Sequence, residues 1–403
     1  MRLGQVSLVR QGRRTQRKSS EGDKPQGNPS QRRKPLKNHK AVKNLGSLLT
    51  ATLVFSLTGM VSLAQTAPVA APAVAPSTPA PKPPMIVAPT MAGPVAGPVA
   101  APVDPFPKSD PKFFTAKTPT LETVNSFLNH LWGFDSSPAW RVMGIMPTKA
   151  AGVSEVIVFL VDTNKPDAKL QRAVFYVLPD GKYAIGQGAG VVPFGADPFA
   201  ATHDLLKARA NGPARGSASK DLLLVEFADL QCPFCAKAQD TMDQIVKDFP
   251  GARVVFQQLP LVEIHPSAFK AAAYGVCAQK QSDEAFYKYA AGVFDTQGGL
   301  TPTTDDTILK ADAKRAGLYA DAIAACADTQ ATKDVVNADI KLGDEAGIVQ
   351  TPTLSINGRV VSLGIDYETL KKMIVFQAQL DGVATGAAAD ILTPKPVLST
   401  LPK

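Results

Sequence analysis

Two cysteines three residues apart, directly behind an apolar run, restrict this chain more than any other feature. Leu222-Leu223-Leu224-Val225-Glu226-Phe227 reads as a strand and Ala236 to Phe249 as an amphipathic helix, so Cys232-Pro233-Phe234-Cys235 lies at a strand-to-helix junction. Side chains at i and i+3 on a helical turn are neighbours, close enough for two sulfurs to close a small disulfide ring. Cys232 falls at the helix N-terminus, where unpaired N–H groups and the macrodipole favour a thiolate. Pro233 suits the first helical position, where its missing N–H costs nothing. A thiolate is the species that attacks disulfides. The same spacing also serves zinc, but a zinc site normally takes four ligands. The remaining cysteines, Cys277 and Cys326, show no second paired spacing, and His265 is the nearest candidate histidine. Redox chemistry is therefore the leading expectation, with no cofactor and no metal. The competing class is a module holding a soft ion such as Cu(I) through Cys232 and Cys235.

The stretch Glu226-Phe227-Ala228-Asp229-Leu230-Gln231-Cys232-Pro233-Phe234-Cys235 is followed far downstream by Thr351-Pro352-Thr353-Leu354-Ser355-Ile356-Asn357-Gly358. Together, in that order, they resemble the bacterial DsbA-like thioredoxin-fold oxidoreductases, over about Ser217 to Leu380. The resemblance implies a thioredoxin fold with a helical insertion, and thiol–disulfide exchange on exported proteins bearing cysteines, with a membrane redox partner. It implies that Cys232 is the nucleophile and Cys235 the deeper, resolving thiol, the two forming the redox-active disulfide. It also implies that Pro352 is the cis-proline facing them, with the backbone of Thr351 free to pair with an extended substrate. The matching acid in this family assists proton transfer at the buried cysteine, which gives that role to Glu226. From the residues alone, Glu226 is either a buried carboxylate with a raised pKa or an edge residue turned to solvent. Phe234 departs from the strongest oxidants, which carry a histidine there. That favours isomerase or reductase activity over strong oxidation.

Charge and composition divide the rest. Residues 1–44 hold thirteen Lys and Arg against two acids, and the remainder of the chain is mildly acidic at −3. The basic excess is an N-terminal address, so no nucleic-acid partner is expected. Leu45 to Ala64 is apolar and uncharged, and Ser62-x-Ala64 resembles a cleavage site. Residues 1–65 are thus a basic leader with a signal peptide or a membrane anchor, pointing to the periplasm or cell envelope. Arg32-Arg33-Lys34-Pro35-Leu36-Lys37 partly resembles a twin-arginine signal. Residues 66–111 form a disordered, semi-stiff Pro/Ala-rich linker.

Residues 112–196 read as a small α+β domain: a helix from Thr118-Pro119 with Leu121, Val124, Phe127, Leu128 and Leu131 on one face, then strands at 140–146, 153–161, 172–178 and 182–185. His130 reads as a solvated or capping residue. A linker helix falls within 197–216, and the thioredoxin domain fills 217–380 with its insertion at about 266–347. A loose tail takes 381–403. The fold class is therefore α/β: a thioredoxin fold preceded by a small α+β domain. A β-rich domain and a helix ahead of a thioredoxin domain is similar to DsbC- and DsbG-like isomerases, which implies a homodimer. Cys277 and Cys326 both fall in the insertion, as a structural disulfide or as two buried thiols.

Overall fold

Alternating apolar residues and one amphipathic stripe build the first half of what the computed structural model describes, residues 104–386 apart from 166 and 187–189. The expected signal or anchor, most of the linker and residues 387–403 of the tail lie outside the described residues. Helix α1 (Leu121–Trp132) begins after Thr120, whose hydroxyl accepts from the Thr123 N–H at 3.1 Å. The helix therefore starts later than Thr118-Pro119, because Thr120 supplies the cap.

Strands β1 (Pro138–Pro147), β2 (Ser154–Asp162), β3 (Gln171–Val177), β4 (Tyr183–Gly186) and β5 (Gly190–Pro193) form an antiparallel meander in chain order. Val124, Phe127 and Leu128 of α1 pack on Trp140, Val142, Val156, Val158 and Val177 of one sheet face. His130 is not solvated. It is buried in the last turn of α1, with its Nδ1 2.9 Å from the Ser126 carbonyl oxygen.

Helix α2 (Ala200–Arg209) leads into the second sheet, built from β6 (Ala214–Gly216), β7 (Leu222–Ala228), β8 (Ala252–Gln258), β9 (Thr353–Ile356) and β10 (Arg359–Ser362). The spatial order is β10-β9-β7-β8-β6, with β7 parallel to β8 and antiparallel to β9. Every residue of β7 is buried, as a central strand covered on both faces requires. Leu222 and Leu224 face α3 (Pro233–Asp248) and α9 (Tyr367–Leu380), while Leu223, Val225 and Phe227 face α2 and α8 (Gln330–Glu345). Asn357 (φ 43°) and Gly358 (φ 88°) make the two-residue β9–β10 turn. A side chain at Gly358 would meet the Phe199 carbonyl and the His203 amide, so the turn also needs glycine for close approach.

The insertion between β8 and β9 is helical: α4 (Ala268–Gln279), α5 (Asp283–Thr296), α6 (Asp305–Arg315), α7 (Ala320–Ala327) and α8. Helix α4 is buried along most of its length and shares a core with α5, α6 and α7. A disulfide joins Cys277 of α4 to Cys326 of α7. Across the two sheets, the buried Arg359 donates to the His130 carbonyl at the end of α1 and to Gln377 Oε1 at 3.2 Å, with the Phe199 ring 4.7 Å from its guanidinium. Among the described residues no helix is long and apolar enough to cross a membrane.

Candidate active site

The C-terminal ends of β7 and β8 and the first turn of α3 converge on the two thiols. Cys232 is the N-cap of α3 with extended backbone (φ −80°, ψ 121°), and Pro233 opens the helix. Both cysteines are free thiols. Cys235 is fully buried and Cys232 is 4% exposed, so the outer of the two is the one a second molecule can reach. The Cys235 thiol, hydrogen-bonded to the Cys232 sulfur, does most to hold Cys232 down, to about 5. Burial opposes this, and the backbone N–H groups of Cys235 and Phe234 add to the lowering. Burial, then the neighbouring Cys232, push the Cys235 thiol far up. One thiol is thus prepared as a nucleophile and its neighbour is held protonated.

The Thr351–Pro352 peptide is cis, and the Thr351 carbonyl oxygen lies 3.9 Å from Cys232 Sγ. Thr351 and Pro352 share a cleft of about 300 Å³ with Phe234, Lys237, Gln350 and Leu363. Phe234, on the wall of this cleft, is 65% exposed.

Glu226 is buried in the central strand, opposite Phe256 of β8 and Leu354 of β9. The solvent-facing edge alternative is therefore wrong, because β7 has a neighbour on each side. Burial raises its carboxyl to about 7, against the lowering effect of a 2.8 Å hydrogen bond from Gln239 Nε2. The same nitrogen lies 3.2 Å from the Cys235 carbonyl oxygen, which links the acid to the C-x-x-C turn. Cys277 and Cys326 are not brought to this site; they bond to each other within the insertion.

Gln239 and Asp229 are residues that sequence reasoning did not single out. Asp229 closes the loop before Cys232: its carboxylate accepts from Gln231 N at 2.7 Å, Leu261 N at 2.8 Å and His265 Nδ1 at 2.8 Å. An acid two residues before an amide at a strand end is a recognisable turn signal, but its bond to His265 is visible only in three dimensions. Among the described residues no group of three or more His, Cys, Asp or Glu is placed to hold a metal ion.

Residues 209–375 match the family model described as thioredoxin. Among curated proteins, a stretch of 149 residues is 28% identical to the Na(+)/H(+) antiporter NhaA 3 of Salinispora tropica, and one of 146 residues is 30% identical to NhaA 1 of Salinispora arenicola. Each match takes in 36% of this chain, which spans about a fifth (21%) of those antiporters. Similar solved structures include the catalytic domain of Proteus mirabilis ScsC, 22% identical, covering 45% of this chain and 97% of that one with a TM-score of 0.38. BdbD from Bacillus subtilis is 23% identical, covering 42% and 92% with a TM-score of 0.36. The family model does not reach the small α+β domain, so the DsbC/DsbG-like layout gains nothing from it. Over residues 209–375, the strand order, C-x-x-C turn and helical insertion just described make a thioredoxin-like fold, and this stretch of the chain is similar to the thioredoxin family.

Proposed function

We propose that this protein is an exported thiol–disulfide oxidoreductase that exchanges disulfides with cysteine-bearing protein substrates through Cys232 and Cys235. The observation that carries the reading is the asymmetry of the pair: Cys232 lowered to about 5 at a helix N-terminus, Cys235 buried beneath it. In the oxidising direction a substrate thiolate attacks Cys232 Sγ of the disulfide, and Cys235 leaves as a thiolate and takes up a proton. A second substrate thiolate then attacks the substrate sulfur of the mixed disulfide, and Cys232 leaves. The substrate gains a disulfide and the pair is left as the dithiol. The cleft beside Thr351 and Pro352 suits an extended segment flanking the reacting cysteine, with the exposed Phe234 as an apolar contact.

The Cys232 thiolate bears on the direction of exchange. A lower Cys232 pKa stabilises the reduced form and makes the disulfide more oxidising. The value of about 5 falls between those of about 7 for thioredoxin and about 3.5 for the strongest oxidants. The expected potential in a glutathione buffer therefore lies between about −270 and about −120 mV. A value at or below the lower bound makes the protein a reductant and defeats the oxidising reading.

Export is supported by the basic leader with its apolar segment, and by the Cys277–Cys326 disulfide, a bond that persists in oxidising compartments. A membrane redox partner belongs to this reading, since a turned-over dithiol must be reoxidised. A dimeric isomerase of the DsbC/DsbG type is the second reading. The small domain supports it with a cross-strand row of exposed apolar residues, Tyr176, Ile185 and Val191, on adjacent strands. Light scattering on the full chain decides this point: a monomer ends the dimer reading and leaves the exchange reading intact.

A further inference from the structure

Asp229 commits all of its polar groups to the C-x-x-C turn and its support. Its N–H points at Cys235 Sγ at 3.4 Å, and its carbonyl accepts from Cys232 N at 3.0 Å. Its side chain is fully buried and gathers three donors, from Gln231 in the same loop and from Leu261 and His265 in the segment after β8. The His265 nitrogen facing a carboxylate must be the protonated one, so the ring donates from Nδ1. His265 itself is only partly covered, its side chain 16% exposed.

We infer that Asp229 and His265 are a positioning pair for the resolving thiol: His265 fixes the Asp229 carboxylate, and that carboxylate holds the residue's own amide on Cys235 Sγ. The inference rests on the exchange chemistry proposed above. In resolution of a mixed disulfide, the Cys235 thiol loses its proton, its sulfur attacks Cys232 Sγ, the Cys232–substrate bond breaks and the substrate leaves as a thiolate. In the reverse direction Cys235 is the leaving group. Either way, negative charge resides on a sulfur with no exposed surface, and burial opposes it. The Asp229 N–H is a donor that works against burial there. Three N–H donors turned onto the Asp229 carboxylate disperse its buried charge and fix the loop that carries this amide. With the His265 donor removed, the carboxylate keeps two donors and the loop loses one of its two ties to the segment after β8. Attack by Cys232 on an outside disulfide places no charge on Cys235 Sγ, so the second step of exchange should respond more than the first.

The test uses the full-length dithiol protein and a chromogenic aromatic disulfide. Its first thiolate is released when Cys232 attacks, and its second when Cys235 resolves the adduct. In His265→Ala the ratio of second-phase to first-phase rate should fall about tenfold, equivalent to about 1.4 kcal/mol of barrier. His265→Asn, whose side-chain N–H can replace Nδ1–H, should recover most of that ratio. Asp229→Asn, which sets an amide against the donors, should lower it at least as far as His265→Ala. An unchanged ratio in His265→Ala overturns the inference, as does equal slowing of both phases, the mark of a purely structural loss. Wild-type protein without a fast first phase would instead sink the exchange reading itself, so the two failures are distinguishable.

Discussion

Two cysteine pairs lie in one domain, at the start of α3 and between α4 and α7, and they do opposite things. Cys232 and Cys235 are free thiols one helical turn apart, with the outer sulfur at a helix N-terminus and beside a cleft. Cys277 and Cys326 are bonded across 49 residues, with Cys277 buried in α4 and the Thr332 hydroxyl near both sulfurs. Burial does not separate the pairs, since Cys232, Cys235 and Cys277 are all nearly inaccessible. Loop length and local dipoles do. Closing a loop of a few residues removes little denatured-state entropy, about 1–2 kcal/mol, whereas closing one of 49 residues removes about 4 kcal/mol. The first bond can be made and broken with little effect on the fold; the second ties two helices together. The helix terminus then adds to the first pair a preference for the thiolate, which Cys277 and Cys326, in the last turns of α4 and α7, lack.

The largest expected effect breaks the comparison outright if it fails. Cys232→Ser should abolish exchange with a peptide disulfide, because Cys235 is sealed from a second molecule. Cys235→Ser should retain the first attack and accumulate mixed disulfides through Cys232, seen by mass spectrometry. Exchange surviving in Cys232→Ser would mean that the insertion pair, or an opened Cys235, is the reactive one.

Next comes acidity. A Cys232 thiol at about 5 is largely ionised at pH 6, where a thiol of pKa 9.0 is about one part in a thousand thiolate. Alkylation of the reduced protein should therefore stay fast down to about pH 5 and then fall about tenfold per pH unit below it. A rate still climbing between pH 7 and 9 would show that the Cys235 thiol and the helix terminus do not hold the thiolate.

The insertion pair is sharpened by removing it. Cys277→Ser with Cys326→Ser should lower unfolding free energy by about 4 kcal/mol in a urea titration. Its exchange rate on a small peptide should stay within about twofold, since neither sulfur reaches the cleft. Loss of exchange in a still-folded double variant would couple the two pairs and remove the distinction drawn here.

These contrasts were only partly legible in the amino-acid order. An apolar run ending at a C-x-x-C and followed by a 3.6-residue stripe places Cys232 at a helix start with no tertiary information. Alternation likewise located β1 to β4 of the small domain. Two short strands, β5 and β6, were not anticipated, because four or three residues carry no period and their pairing comes from neighbours. The Asp229–His265 bond spans 36 residues and the Arg359 contact with the His130 carbonyl 229, so neither leaves a local trace. Cys277 and Cys326 could not be paired from their spacing, since a separation of 49 suits a bond or two thiols equally. Glu226 was ambiguous for a related reason: a charge in an apolar strand is either at an edge or functional, and only the strand order decides.

That acid gives the smallest and most specific contrast, because the C-x-x-C turn is linked to a buried carboxyl through Gln239. Burial raises Glu226 from 4.5 to about 7 in the folded protein. As pH rises from 4.5, the unfolded chain gives up this proton first. Between 4.5 and about 7 the folded state therefore holds more protons than the unfolded one, and the group makes stability fall with rising pH. The loss levels off above about pH 7 at roughly 3 kcal/mol, since each pH unit between the two values costs about 1.36 kcal/mol. Glu226→Gln keeps the shape and an oxygen to accept from Gln239, but has no proton to lose. It should match the wild type in urea titrations near pH 4 and exceed it by about 2–3 kcal/mol at pH 8. Equal stability of the two proteins at both pH values would mean that burial does not hold the proton on Glu226. A variant less stable than wild type at pH 8 would mean that the ionised carboxylate is itself a stabilising partner, and this position would then have no proton to lend to the chemistry of Cys235.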